Sequence, residues 1–293
     1  MNDYIISVDV SADIDKHFIE THDIHFVPMT YTVGDEELVY DAPKSDAEIK
    51  TVYDAQRKGD MTKTSQITPM KYMECFEPFL KEGKDVLYIS LSSGLTKTFD
   101  SANLAKRNLA ETYRESAVYP IDSIAATGGM GLLVELAFKN KEAGMSAKEN
   151  ADNLQEMAHK ICHVFVVDDL MYLKRGGRIS AATAVVGTML NVKPILIMKP
   201  DGSLTGVRKK RGEKLALKDL ATQYLATRDL SISNRVYINH GDCRERVDKL
   251  IALIEKQSPG AQDFATSMLS PIIGSHTGPG LVVIAYFGDR TKI

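Results

Sequence analysis

Val86-Leu87-Tyr88-Ile89-Ser90, followed by Leu91-Ser92-Ser93-Gly94-Leu95-Thr96-Lys97-Thr98, is the stretch on which the fold turns. The first five residues are a short β-rich run, and the hydroxyl- and glycine-rich segment after them is a turn signal. Thr98 to Tyr113 reads as a helix and Ala117 to Ile121 as another strand. Strand, loop, helix and strand in that order make a βαβ unit, which demands parallel pairing and a crossover.

The same rhythm extends in both directions. Tyr4 to Val8 reads as a buried strand, and Phe26 to Val33 with Leu38 to Tyr40 reads as a hairpin about Gly34-Asp35. Ser45-x-x-Glu48 and Ser146-x-x-Glu149 have the capping-box spacing, so helices are expected to about Lys58 and about Cys162. Pro69 after Thr68 starts another helix, and Gly129 to Ala143 a further one. Beyond Val164 to Val167 the pattern changes. A small-residue helix is expected over Ile179 to Leu190, and Pro194 to Lys199 with Leu204 to Val207 should form a hairpin about Pro200-Asp201-Gly202. Helices over 213–228 and 245–257 and strands over 236–239, 264–268 and 281–287 complete the chain. The expected fold class is α/β in two domains. Residues 1–160 form a doubly wound, mostly parallel sheet, and residues 161–293 form an α/β domain with a mixed sheet. A ligand would lie between the two.

Composition excludes several classes. The chain has 293 residues, 36 Lys and Arg against 39 Asp and Glu, and a net charge of −3, so no nucleic-acid partner is expected. No apolar run is long enough to span a bilayer, which leaves at most transient membrane contact. The 3 cysteines are scattered, which argues against a disulfide framework and a structural zinc site, and the expected location is the cytoplasm. There is no G-x-x-x-x-G-K-[ST] and no H-E-x-x-H. Gly128-Gly129-Met130-Gly131 lacks the spacing of a dinucleotide loop.

Candidate binding residues are mostly hydroxyls. Thr64-Ser65-Gln66 lies between two helices, and Ser92-Ser93-Gly94 follows a strand at the end where parallel sheets bind ligands. Hydroxyls with amides freed by a glycine bend suit an anion. His276 sits among Gly and Pro in 270–280, read as a loop, and could donate to an anion or act in acid–base chemistry. Asp168-Asp169 and the basic turn Lys174-Arg175-Gly176-Gly177-Arg178 fit metal and phosphate, but equally a strand end and a solvated face. A serine-dependent acyl hydrolase using Ser93 and His276 is the alternative. It lacks the G-x-S-x-G elbow, because Leu91 stands at its first glycine.

In combination these segments resemble the DegV family of bacterial fatty-acid-binding proteins. The resemblance rests on Asp9 and Asp13, Thr64-Ser65-Gln66, Ser92-Ser93-Gly94-Leu95, Asp122-Ser123, Asp169-Leu170, Gly176-Gly177-Arg178-Ile179, Lys193-Pro194-Ile195, Arg211 and His276-Thr277-Gly278-Pro279-Gly280. It implies no cofactor and a binding protein rather than an enzyme. One long-chain, palmitate-like fatty acid would lie in a buried tunnel, its carboxylate held by Thr64, Ser93 with Gly94, Arg211 and His276. It also implies a partner, a fatty acid kinase subunit of the dihydroxyacetone-kinase-like type, to which the bound acid is presented for phosphorylation. Val10 and Lys97 stand where the family usually has Ser and Gly.

Overall fold

The computed structural model of the protein describes residues 3–180 and 191–293. Most of the helix expected over Ile179 to Leu190 lies outside the described residues.

The βαβ reading of the opening stretch is correct. Strands β1 (Tyr4–Asp9), β2 (Ile24–Val27), β6 (Asp85–Ser90) and β7 (Val118–Asp122) form a sheet of order β2-β1-β6-β7, parallel throughout. Pro120 lies in β7, the edge strand, where a missing N–H breaks no central ladder. Helices α4 (Thr98–Thr112) and α5 (Gly128–Glu142) follow β6 and β7. Both capping boxes form, at Ser45 before α2 (Asp46–Lys58) and at Ser146 before α6 (Ala147–Ala158).

Four expectations need correction. Phe26 to Val33 is not one strand: Pro28 splits it into β2, in the parallel sheet, and β3 (Met29–Val33). β3 pairs with β4 (Glu36–Tyr40) as expected and also with β5 (Thr62–Thr64), a strand too short to read from sequence. The helix after Ser146 ends at Ala158, and Cys162 belongs to β8 (Ile161–Val166). Residues 271–277, read as loop, form a short helix that starts with Pro271 at its first turn and ends at Gly278, whose φ is +70°.

The second sheet has the order β10-β9-β8-β13-β11-β12 and is mixed. Here β9 is Val192–Met198, β10 Leu204–Arg211, β11 Arg235–His240, β12 Asp263–Met268 and β13 Val282–Phe287. The hairpin about residues 200–202 joins β9 to β10. The last strand, β13, sits in the middle, antiparallel to both β8 and β11.

One apolar cluster runs between the sheets, joining Leu87 and Leu133 of the first half to Met198, Tyr237 and Ala285 of the second. Buried polar groups pin the same boundary. Arg290 donates to the carbonyls of Ala158, Ile124 and Lys199. Asp13 Oδ1 accepts from the Ser270 amide at 2.7 Å, and its backbone carbonyl accepts from Asn239 Nδ2 at 3.1 Å. Burial pushes the Asp13 carboxyl up from 3.8 to about 7, against the hydrogen bond from the Ser270 amide. A carboxyl pKa raised on folding stabilises fully below its unfolded value and loses that contribution as pH rises through the folded value. The wild type should therefore lose about 3–4 kcal/mol relative to Asp13→Asn between pH 4 and 8. Urea unfolding of both proteins across that range checks it, and parallel pH profiles would refute it.

Candidate functional site

The loops at the carboxyl ends of β6 and β7 supply Leu91, Leu95 and Ala126 to a cavity of about 360 Å³. Its floor is one face of the second sheet. His163 and Phe165 of β8 alternate with outward residues and lie beside Val283 and Met198. Ile272 and Ile273 of the short helix α10 (Pro271–Thr277; the tenth among the described residues) close the cavity. An α/β sheet is expected to bind at the carboxyl ends of its strands, and this cavity lies there.

One end is polar. The Thr64 hydroxyl and His276 Nε2, 212 residues apart in sequence, are 2.7 Å apart. The other imidazole nitrogen, Nδ1, faces Gly176, where a Cβ would stand 2.3 Å from it. The first glycine of Gly-Gly-Arg is thus there to admit the ring. Burial, with Arg178 nearby, lowers the His276 pKa to about 4, so the ring is neutral at pH 7. Arg178 completes this end. Its Nε donates to the Leu95 carbonyl at 3.0 Å and its Nη1 to the Gly176 carbonyl. It is partly buried, and among the described residues no carboxylate neutralises it.

The expected site residues divide. Thr64 and His276 meet at the cavity. Gly94 lies under the β9–β10 hairpin: a Cβ there would be 2.4 Å from the Gly202 carbonyl carbon. Ser92 Oγ donates to the Gly202 carbonyl at 2.9 Å in the same contact. The Ser93 amide donates to Asp122 Oδ1 at 3.0 Å, and Ser93 itself is not among the cavity-lining residues. Arg211 ends the outer strand β10, exposed and outside the cavity lining, while Arg208 is held by Asp219 at 2.9 Å. Among the described residues two cations border the cavity: Lys97, which faces Asp100 at 3.5 Å, and Arg178, which the sequence offered only as part of a basic turn. His276 is engaged by Thr64 rather than Ser93, so the pairing a serine hydrolase needs is not formed.

Asp9 sets the loop that carries Ser92 to Gly94. Its Oδ2 accepts from the Leu91 amide at 2.8 Å, and its Oδ1 accepts from Tyr88 and Tyr72 hydroxyls. Among the described residues no group of three or more His, Cys, Asp or Glu could hold a metal ion. No described helix is long and apolar enough to cross a membrane.

Comparison with known proteins agrees with this architecture. A DegV domain-containing protein of Clostridium perfringens is 34% identical over 293 residues, covering 100% of both chains. A solved structure described as fatty acid binding of a DegV family protein from Thermus thermophilus is 26% identical, with a TM-score of 0.82, covering 97% of this chain and 99% of that one. The Streptococcus pneumoniae Fatty Acid Kinase (Fak) B3 protein loaded with linoleic acid has the same fold at 21% identity, with a TM-score of 0.85 and coverage of 98% and 100%. The family described as "Uncharacterised protein, DegV family" matches residues 4–289, and the chain belongs to it.

Proposed function

We propose that this protein binds one long-chain fatty acid, with the acyl tail along the apolar floor and the carboxylate at the Thr64–His276 end. The observation that carries this reading is Arg178, a partly buried guanidinium without a carboxylate partner among the described residues, at a polar end of a cavity whose floor is largely apolar. A cation so placed wants an anion, because an uncompensated charge taken from water is costly. Thr64 supplies a neutral donor. Each buried methylene stabilises by about 0.8 kcal/mol, so a palmitate-length tail gains on the order of 10 kcal/mol before ordering costs. The Thermus thermophilus relative, described as fatty-acid-binding, supports the same class of ligand. In this reading Ser93 and Gly94 build the loop beneath the head group. The bound acid is presented to a fatty acid kinase, and the carboxylate end is where a phosphoryl group would be received.

Native mass spectrometry of the purified protein should show one co-purifying fatty acid. After delipidation, Thr64→Val and His276→Ala should each weaken palmitate binding about tenfold, the loss expected for a hydrogen bond to a charged group. A delipidated wild type that takes up neither palmitate nor oleate would sink the proposal.

A further inference from the structure

Thr64 and His276 come from separate pieces of the fold. Thr64 ends β5, a strand of 3 residues that pairs with β3 at the edge of its sheet. His276 lies near the end of α10, a helix of 7 residues. Elements this short do not fix themselves, so their separation is set from outside.

Helix α2 supplies the tie. Gln56, in its last turn, is 3% exposed. Its Nε2 donates to Thr62 Oγ1 at 2.9 Å and to the Gly274 carbonyl at 3.0 Å. A carbonyl only accepts, so that contact assigns the orientation of the amide. One side chain thus bridges β5, two residues before Thr64, and α10, two residues before His276. Thr62 Oγ1 extends the bridge by donating to the Ser275 carbonyl at 3.3 Å.

The bridge does little for the elements it joins. The Gly274 carbonyl also accepts from the Gly278 amide at 2.9 Å, and Thr62 is paired with Val33 in the sheet. Gln56 Oε1 has no hydrogen-bond partner among the described residues. Methionine, of similar length, would strand neither partner and would remove one unsatisfied atom. What it would lose is the common point to which both pieces are tied. Gln56 is not among the cavity-lining residues, so it acts through Thr64 and His276 rather than on a ligand. Hydrogen bonds to a carboxylate weaken steeply off line, so a head group held by both side chains depends on their register. The apolar floor does not.

We infer that Gln56 is a positioning residue for the head-group end. It sets Thr64 against His276, and thereby the preference for a carboxylate over an uncharged head on the same tail. This rests on the fatty-acid reading above.

The test is binding of laurate and 1-dodecanol, an acid and an alcohol of equal chain length, to the delipidated full-length protein. In Gln56→Met the ratio of laurate to dodecanol affinity should fall about tenfold, with dodecanol binding unchanged. Tyr53→Phe is the control. The Tyr53 hydroxyl donates to the Leu269 carbonyl at 3.1 Å, which ties α2 to the approach to α10 without touching β5. Its loss should leave the ratio unchanged. Thr62→Val cuts the bridge at the β5 end and should lower the ratio at least about threefold, which decides the question even if Gln56→Met does not fold. An unchanged ratio in either folded bridge variant, or an equal fall in Tyr53→Phe, overturns the assignment, because the glutamine would then merely hold the helix. If the wild type binds neither compound, or dodecanol as tightly as laurate, the fatty-acid reading falls first and the positioning role with it.

Discussion

Replacing Asp9 with leucine should destabilise the protein by about 3–5 kcal/mol, the range for removing one member of a buried charged network. Burial raises the Asp9 carboxyl to about 6, so its desolvation outweighs the hydrogen bonds it accepts. Deletion is costly nonetheless, because the donors remain. The Leu91 amide would be stranded in the core, and the Tyr72 and Tyr88 hydroxyls, which bond to each other, would lose their shared acceptor. Urea unfolding at unchanged m-value measures the loss. Adding Tyr72→Phe and Tyr88→Phe to Asp9→Leu should restore part of it, since the orphaned hydroxyls go. A loss below about 1 kcal/mol, or no recovery in the triple variant, would show that the network is not what holds this loop.

Gly94→Ala should cost about 3 kcal/mol and weaken palmitate binding at least tenfold. Gly94 has no left-handed φ, so the penalty is purely one of space. A Cβ would meet the Gly202 carbonyl carbon at 2.4 Å, the Ser203 amide at 2.5 Å and the Asp201 carbonyl at 2.6 Å. All three are backbone atoms, so no side chain can swing aside. The hairpin must lift, breaking the Ser92 to Gly202 hydrogen bond and displacing Met198 and Leu204, which border the cavity on either side of the turn. Gly83→Ala is the control. Its φ is +74° but nothing lies within 4 Å, so only about 1 kcal/mol of backbone strain is expected and no effect on binding. Equal effects at the two positions would contradict the steric account.

Much of this architecture can be read locally. Both capping boxes involve a Ser and a Glu three residues apart, and both form without help from distant residues. The βαβ unit around Val86 to Ser90 is equally local. What escaped reading depends on contacts made across the fold. Residues 271–277 carry Gly274, whose Cα approaches the Tyr53 hydroxyl so closely that a Cβ would stand 2.6 Å away, and no nearby residue announces that contact. The site shows the same division. The Thr64 and His276 motifs were visible, but their meeting is a tertiary event, as is the contact of Gly176 with the ring that brings Arg178 beside it. His163 and Thr127 belong to no motif: a histidine in a strand and a threonine before a glycine run look like ordinary filling until both are found bordering the cavity.

The central position of β13 has a consequence for the order in which the molecule is made. The strand follows both of its neighbours in sequence, yet β8 and β11 cannot be joined into one sheet until it slides between them. Leu281 and Val283, part of the cavity floor, arrive with it. Before β13 docks, the amino-terminal sheet can form but the chamber cannot, and such a chain offers a lipid nowhere complete to rest. The interior is therefore completed late, and losing β13 would take Val283 from the chamber's floor and part β8 from β11 rather than trim an edge.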